Sequence, residues 1–289
     1  MTHKPVAVGV DGSDPSIAAL HGAAAAAARR GAALRIVYAR PWRAGNQQFT
    51  IGLTAQEEWA HERLSTAWQD AARRHPDLTV TGEETSETPA KALLDTLREA
   101  QLLVLGSRGT GRMSGFLTGS VMLPVVARAS GPVVLVRAGD APAPAGDDPV
   151  VVGLDVEHRT APVAEFAFAE ADRTLRPLVA VSVWSLQGIY AYPSALPDPR
   201  VGTDLEARAA RALENALAPW LAAYPDVKAE RLTTAGAVAP RLLQAAAEAS
   251  LVVVGRRRHK HLASGTPLGP VTHAVLHHAA APVAVVPHD

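Results

Sequence analysis

Gln101-Leu-Leu-Val-Leu105-Gly106-Ser-Arg-Gly109 is followed, after nine residues, by Gly119-Ser120 and then Val121-Met-Leu-Pro-Val-Val-Ala-Arg-Ala129. The apolar run reads as a strand buried on both faces, as in a parallel sheet. The segment after Ser120 reads as a helix. A glycine-rich loop between a strand and a helix N-terminus brings backbone N–H groups and the positive end of a helix dipole to one place, so it suits a phosphate. No Gly-Lys-Ser/Thr occurs, which excludes a P-loop. Gly109, Gly111 and Gly115 have the wrong spacing for the dinucleotide fingerprint.

The same strand recurs later as Leu251-Val-Val-Val-Gly255. Pro5-Val-Ala-Val-Gly-Val-Asp11 recurs as Pro149-Val-Val-Val-Gly-Leu-Asp155, and Gly131-Pro-Val-Val-Leu-Val136 as Ala281-Pro-Val-Ala-Val-Val286. Three matches in the same order, with spacings drifting by only a few residues, mark a duplicated domain of about 145 residues. The first domain is expected over 1–138 and the second over 149–289. The Pro-, Gly- and Ala-rich segment 139–148 reads as a semi-rigid linker.

Each half alternates strand and helix. Strands are expected near 5–10, 33–39, 78–83, 101–106 and 132–137, and again near 149–154, 177–183, 227–233, 251–255 and 282–286. Helices are expected near 14–30, 54–75, 88–100 and 119–129, and near 160–174, 203–223, 238–249 and 269–279. Ser13-Asp14-Pro15 and Thr88-Pro89 are start signals. Gly31 is a stop signal, as are His75-Pro76 and Tyr224-Pro225 at matching places. Alternating strands and helices give an α/β fold, a doubly wound parallel sheet with ligands at the carboxyl ends of its strands. Asp11 and Gly106 then end two strands on one crevice if those strands are neighbours.

The 289 residues suffice for two domains, and an apolar share of 48% supports a sizeable core. Lys and Arg together number 28, as do Asp and Glu, so the charge gives no reason to expect nucleic acid or a membrane surface. The chain has no cysteine, which excludes disulfides and thiolate metal sites. With no signal-peptide pattern and no apolar run long enough to span a bilayer, a cytoplasmic protein is expected.

Val8-Gly-Val-Asp11-Gly-Ser13 closing the first strand, together with Gly106-x2-Gly109-x9-Gly119-Ser120, resembles the universal stress protein family, twice over along the chain. The resemblance implies two tandem flavodoxin-like domains, each with a five-stranded parallel sheet of order 3-2-1-4-5. It also implies ATP binding where the motif is intact, with magnesium as an open accompaniment. Carried to this sequence, Asp11 receives the ribose hydroxyls and Ala39 offers backbone atoms to the adenine edge. Gly106 and Gly109 admit ribose and phosphate, Gly119, Ser120 and Val121 donate to the outer phosphates, and Arg108 neutralises charge. It further implies that the last strands of the two halves pair into an intrachain pseudo-dimer, with a homodimer as an additional option.

The second half departs from the pattern. Its loop reads Gly255-Arg-Arg-Arg258-His-Lys-His-Leu-Ala-Ser-Gly265-Thr-Pro-Leu-Gly269-Pro270. Arg258 stands at the second glycine, and Pro270, with neither N–H nor hydroxyl, stands at the serine. Asp155, Val183, Gly255, Gly265 and Gly269 therefore form at most a weaker second site. Glu157 adds an unfavourable carboxylate, and Arg256 to Arg258 with Lys260 offer charge in place of a backbone cradle. The long segments after the second strands carry Trp42, Trp184, Tyr190 and Tyr192 and read as covers for the crevices or as packing surfaces. His273 and His277 are spaced to chelate, but no HExxH or nearby carboxylate accompanies them, so no metal is expected. No residue set nominates a catalyst, and slow ATP hydrolysis stays open. The alternatives to an ATP-binding regulator are an interaction protein without nucleotide and a binder of another adenine nucleotide such as cyclic AMP.

Overall fold

The computed structural model describes residues 4–39, 50–85, 87–107, 121–139, 146–158, 160–184, 199–258 and 268–289. The chain forms two compact units, Met1–Ala143 and Pro144–Asp289.

The first unit runs β1 (Val6–Val10), α1 (Asp14–Arg29), β2 (Leu34–Ala39), α2 (Thr50–Arg74), β3 (Val80–Thr85), α3 (Pro89–Glu99), β4 (Leu102–Ser107), α4 (Met122–Arg128) and β5 (Val133–Arg137). All strands are parallel, in the order β3-β2-β1-β4-β5. The second unit repeats this with β6 (Val150–Gly153), α5 (Ala161–Thr174), β7 (Leu178–Trp184), α6 (Pro199–Ala223), β8 (Ala229–Ala235), α7 (Val238–Ala245), β9 (Leu251–Arg257), α8 (Pro270–His278) and β10 (Val283–His288). Its order is β8-β7-β6-β9-β10, again parallel. Each unit is thus the doubly wound α/β sheet of order 3-2-1-4-5. The winding reverses between β1 and β4, and between β6 and β9. At such a switch point the flanking connections leave on opposite faces and open a crevice.

The central strands are apolar on both faces because helices cover both. Val6, Ala7 and Val8 are fully buried, as are Val151, Val152, Val252 and Val253. The outer strand β3 is instead exposed along Thr81, Gly82, Glu83 and Glu84. Two glycines set the distance between sheet and helix. A Cβ on Gly9 would stand 2.7 Å from Leu93 Cδ2, and one on Gly153 would stand 2.8 Å from Leu242 Cδ2. In each unit the central strand is notched by a glycine, and a buried leucine of the third helix fills the notch.

Helix α1 begins as its sequence dictates. Ser13 caps it, accepting from the Ser16 N–H, with Pro15 in the first turn and Asp14 at the dipole's positive end. It closes at Gly31, whose φ of 57° is left-handed. Thr88 precedes α3 without donating or accepting a capping bond through its side chain, so Pro89 alone marks that start. Three boundaries differ from the sequence reading by four residues. Helix α2 starts at Thr50 and α6 at Pro199, four residues before the expected 54 and 203, which shortens both preceding connections. Helix α7 stops at Ala245, because Ala247 and Ala249 turn back through tight bonds to Gln244 and Ala246. Tyr190 and Tyr192 lie outside the described residues.

Candidate functional site

In the first unit the parallel register gathers three of the expected site residues. Val10 is level with Tyr38 in β2 and Gly9 with Leu105 in β4. Asp11, the residue after β1, therefore emerges between Ala39 and Gly106 at the carboxyl ends of β2 and β4. Val121, half-buried, is the cap residue immediately before α4. Arg108, Gly109, Gly119 and Ser120 lie outside the described residues.

Asp11 is held by the turn it starts. Its Oδ1 accepts from the Ser13 N–H at 2.9 Å and from the Ser13 hydroxyl at 2.6 Å. The Asp11 N–H donates to Ser16 Oγ at 3.3 Å, and that hydroxyl donates to the Ser13 carbonyl at 2.9 Å. Two of a carboxylate's roughly four acceptor positions thus serve Ser13, which fixes the carboxylate at the rim of the crevice. Gly12, with φ of 80°, lets the chain turn there. Gly106 has a reason of its own to be glycine. A Cβ on it would sit 2.4 Å from the Pro15 carbonyl carbon and 2.6 Å from the Ser16 nitrogen. The first turn of α1 rests directly on the end of β4, a contact the motif reading, with its eye on ligand approach, does not anticipate.

In the second unit the corresponding crevice is a cavity of about 860 Å³. Asp155, Val183, Gly255 and Gly269 all line it, as does Trp184. Gly265 and Lys260 lie outside the described residues. Asp155 keeps the place of Asp11 but not its partners. Its Oδ2 is 2.8 Å from His158 Nδ1, and its Oδ1 accepts from the Glu157 N–H at 3.2 Å. The Ser13 hydroxyl of the first unit is thus replaced by an imidazole. Gly255 is glycine because the His288 ring fills the adjoining space, with Nε2 2.7 Å from where a Cβ would stand. Pro270 is the first residue of α8 after Gly269, a position where its missing N–H has no intrahelical partner to lose.

The basic run divides. Arg258, grouped at the sequence level with the anion-holding cations, instead pairs its Nε with Asp289 Oδ1 at 3.2 Å. Arg256 and Arg257 line the cavity. Arg256 is only 5% exposed, and burial, with Arg258 nearby, lowers its pKa from the ordinary arginine value. An arginine stays charged through such a shift. Sequence reasoning missed Arg208 from α6, His158 and His288, all in the cavity wall. His158 was findable as a side chain three residues after a strand-ending aspartate. Arg208 and His288 reach the cavity only through tertiary packing. On α8 the His273 and His277 rings lie 4.4 Å apart, and no group of three metal-ligating side chains occurs among the described residues. Among those residues, no helix is long and apolar enough to cross a membrane.

Comparison with known proteins agrees with this double architecture. The model of the universal stress protein family matches residues 2–137 and 148–287. The chain is 33% identical over 311 residues to universal stress protein Rv1996 of Mycobacterium tuberculosis, covering 100% of this chain and 97% of the relative. It is 34% identical over 292 residues to universal stress protein Rv2005c of the same species, covering 97% of this chain and 96% of the relative. Among solved structures, a universal stress protein from Archaeoglobus fulgidus DSM 4304 superposes with a TM-score of 0.70, at 16% identity and full coverage of both chains. At that identity the superposition speaks to the fold.

Proposed function

The chain belongs to the universal stress protein family, and we propose that it is an ATP-binding regulatory protein of the stress response whose nucleotide is held by the first unit. The observation that supports this reading is the meeting of Asp11, Ala39 and Gly106 at adjoining strand ends, in the unit that carries the full glycine motif. The Asp11 carboxylate, fixed by Ser13, accepts from the ribose hydroxyls. Ala39 presents main-chain atoms to the adenine edge. The N–H groups of Gly119, Ser120 and Val121 meet the outer phosphates, Gly109 lets the chain pass close to them, and Arg108 offsets their charge. Asp11, oriented as an acceptor within the α1 cap, serves as a binding group. Occupancy then acts through the shape of the crevice rim and not through turnover.

The second unit lacks these conditions. Pro270 offers no N–H, Glu157 repels phosphate, and Asp155 is engaged by His158. One ATP per chain is the expected stoichiometry. Titrating the intact protein with ATP, with and without magnesium, beside Gly119→Glu and Asp155→Ala tests this. Gly119→Glu should abolish binding and Asp155→Ala should leave it intact. Two equivalents of ATP bound, or binding unaffected by Gly119→Glu, would count against the reading. Competition with cyclic AMP establishes whether the triphosphate is required.

A further inference from the structure

The second unit's cavity differs from a nucleotide cradle in the chemistry of its wall. At about 860 Å³ it is within the range of small-molecule sites. Leu154, Val183, Leu205, Val238 and Val271 line it with apolar surface from five separate elements or their ends. Trp184 adds an indole whose N–H is shielded from solvent and has no hydrogen-bond partner among the described residues. At the carboxyl end of β9, level with Pro287, stands Arg256, nine-tenths and more buried. The position is occupied in the first unit by Ser107, in register with Arg137 of β5. A hydroxyl has therefore been exchanged for a buried guanidinium at the crevice floor. A guanidinium presents a planar fork that matches a carboxylate through two parallel hydrogen bonds, and low local polarity strengthens that attraction.

The remaining groups select against higher charge. The arginines of this wall, Arg208, Arg256 and Arg257, exceed its carboxylates, Asp155 and Glu157, by one, so a phosphate chain would bring more negative charge than the wall balances and would find no N–H at Pro270, where α8 begins. A singly charged headgroup on a flat apolar body meets neither obstacle. We propose that this cavity binds a compact organic acid, one carboxylate on an aromatic or similarly planar apolar frame, with the carboxylate anchored by Arg256 and the frame against the Val183–Trp184 wall. This proposal does not depend on ATP occupying the first unit.

The test uses the intact chain and 2-naphthoate as probe, followed by calorimetry, beside uncharged 2-naphthamide and AMP. The expected result is one equivalent of 2-naphthoate bound, at least about tenfold more tightly than the amide, a difference of about 1.4 kcal/mol. Saturating ATP should leave that affinity unchanged. Arg256→Met should erase the preference for acid over amide, and Arg256→Lys, which keeps the charge without the fork, should reduce it several-fold. Equal binding of acid and amide by the unaltered protein, no heat at millimolar 2-naphthoate, or displacement of 2-naphthoate by ATP or by AMP would overturn the proposal. The comparison of acid with amide needs no variant, so it stands even if Arg256→Met fails to fold. The ATP titration reads the first unit separately.

Discussion

Gly106 and Gly255 hold the same place in the two units, yet their substitution by alanine should have different costs. At Gly106 the added Cβ meets the Pro15 carbonyl carbon at 2.4 Å, its oxygen at 2.5 Å and the Ser16 nitrogen at 2.6 Å, all of them backbone. Ordinary carbon contacts lie near 3.5–4.0 Å. The start of α1 must therefore withdraw by about 1 Å, which strains the bonds among Asp11, Ser13 and Ser16. Overpacking of this kind costs about 1–3 kcal/mol, and loss of a helix cap about 1 kcal/mol more, so about 3 kcal/mol is expected. At Gly255 the Cβ meets His288 Nε2 at 2.7 Å and Cδ2 at 2.8 Å, with Val163 Cγ2 at 3.2 Å. These are side-chain atoms, and rotation of the imidazole relieves most of the clash, leaving about 1 kcal/mol. The difference of about 2 kcal/mol corresponds to roughly 4–8 °C in the unfolding midpoint of a unit this size. Urea unfolding and scanning calorimetry of the two variants in nucleotide-free buffer measure it. If the variants fall within about 0.5 kcal/mol of each other, or Gly255→Ala is the worse, the packing account of Gly106 is wrong.

Two further outcomes follow from single residues. Leu175 ends α5 with φ of 54° while 83% exposed, a left-handed conformation that costs a residue with a side chain about 1–2 kcal/mol. Leu175→Gly relieves that cost against a larger entropy loss, so it should raise the urea midpoint by the equivalent of about 0.5–1 kcal/mol; a lower midpoint would contradict the strain. His21, on α1, has its pKa lowered mainly by burial, with the Asp70 carboxylate opposing and Arg74 adding to the shift. Its folded pKa is below its unfolded one. The stability it contributes is therefore fully present above the ordinary histidine value near 6.5 and is lost as pH falls below it. His21→Gln should flatten the decline in stability as pH falls below about 6.5, and an unchanged pH profile would rule out this role.

What the sequence made legible follows from how local each signal is. The repeat, the buried strands and the α1 cap are written in contiguous residues, and even the strand order followed once the family motif was seen. The start of α2 is misplaced because no start signal precedes Thr50, and that of α6 although Asp198-Pro199 is such a signal. The reason for Gly106 was hidden because it lies in Pro15, far along the chain. The pairing of Arg258 with Asp289, and the arrival of Arg208 and His288 in the second cavity, also arise only when distant elements meet. The glycine motif is thus a mixed signal. Some of its residues answer to the backbone beside them before they answer to a ligand.

The notch that Gly9 and Gly153 cut into their central strands has a meaning for the chain's history. At Gly9 the ends of Leu93 and Leu105 both crowd the vacant Cβ position, and at Gly153 the end of Leu242 does so, each leucine being buried. Enlarging the glycine therefore forces a buried leucine to move, and a smaller residue on the third helix relieves that cost. After the duplication the two halves were free to drift apart in their loops and rim charges, while this pair was bound to evolve jointly in each. Aligned relatives should therefore show the two positions varying together or not at all, an imprint of close packing that outlasts the divergence of the sites above it.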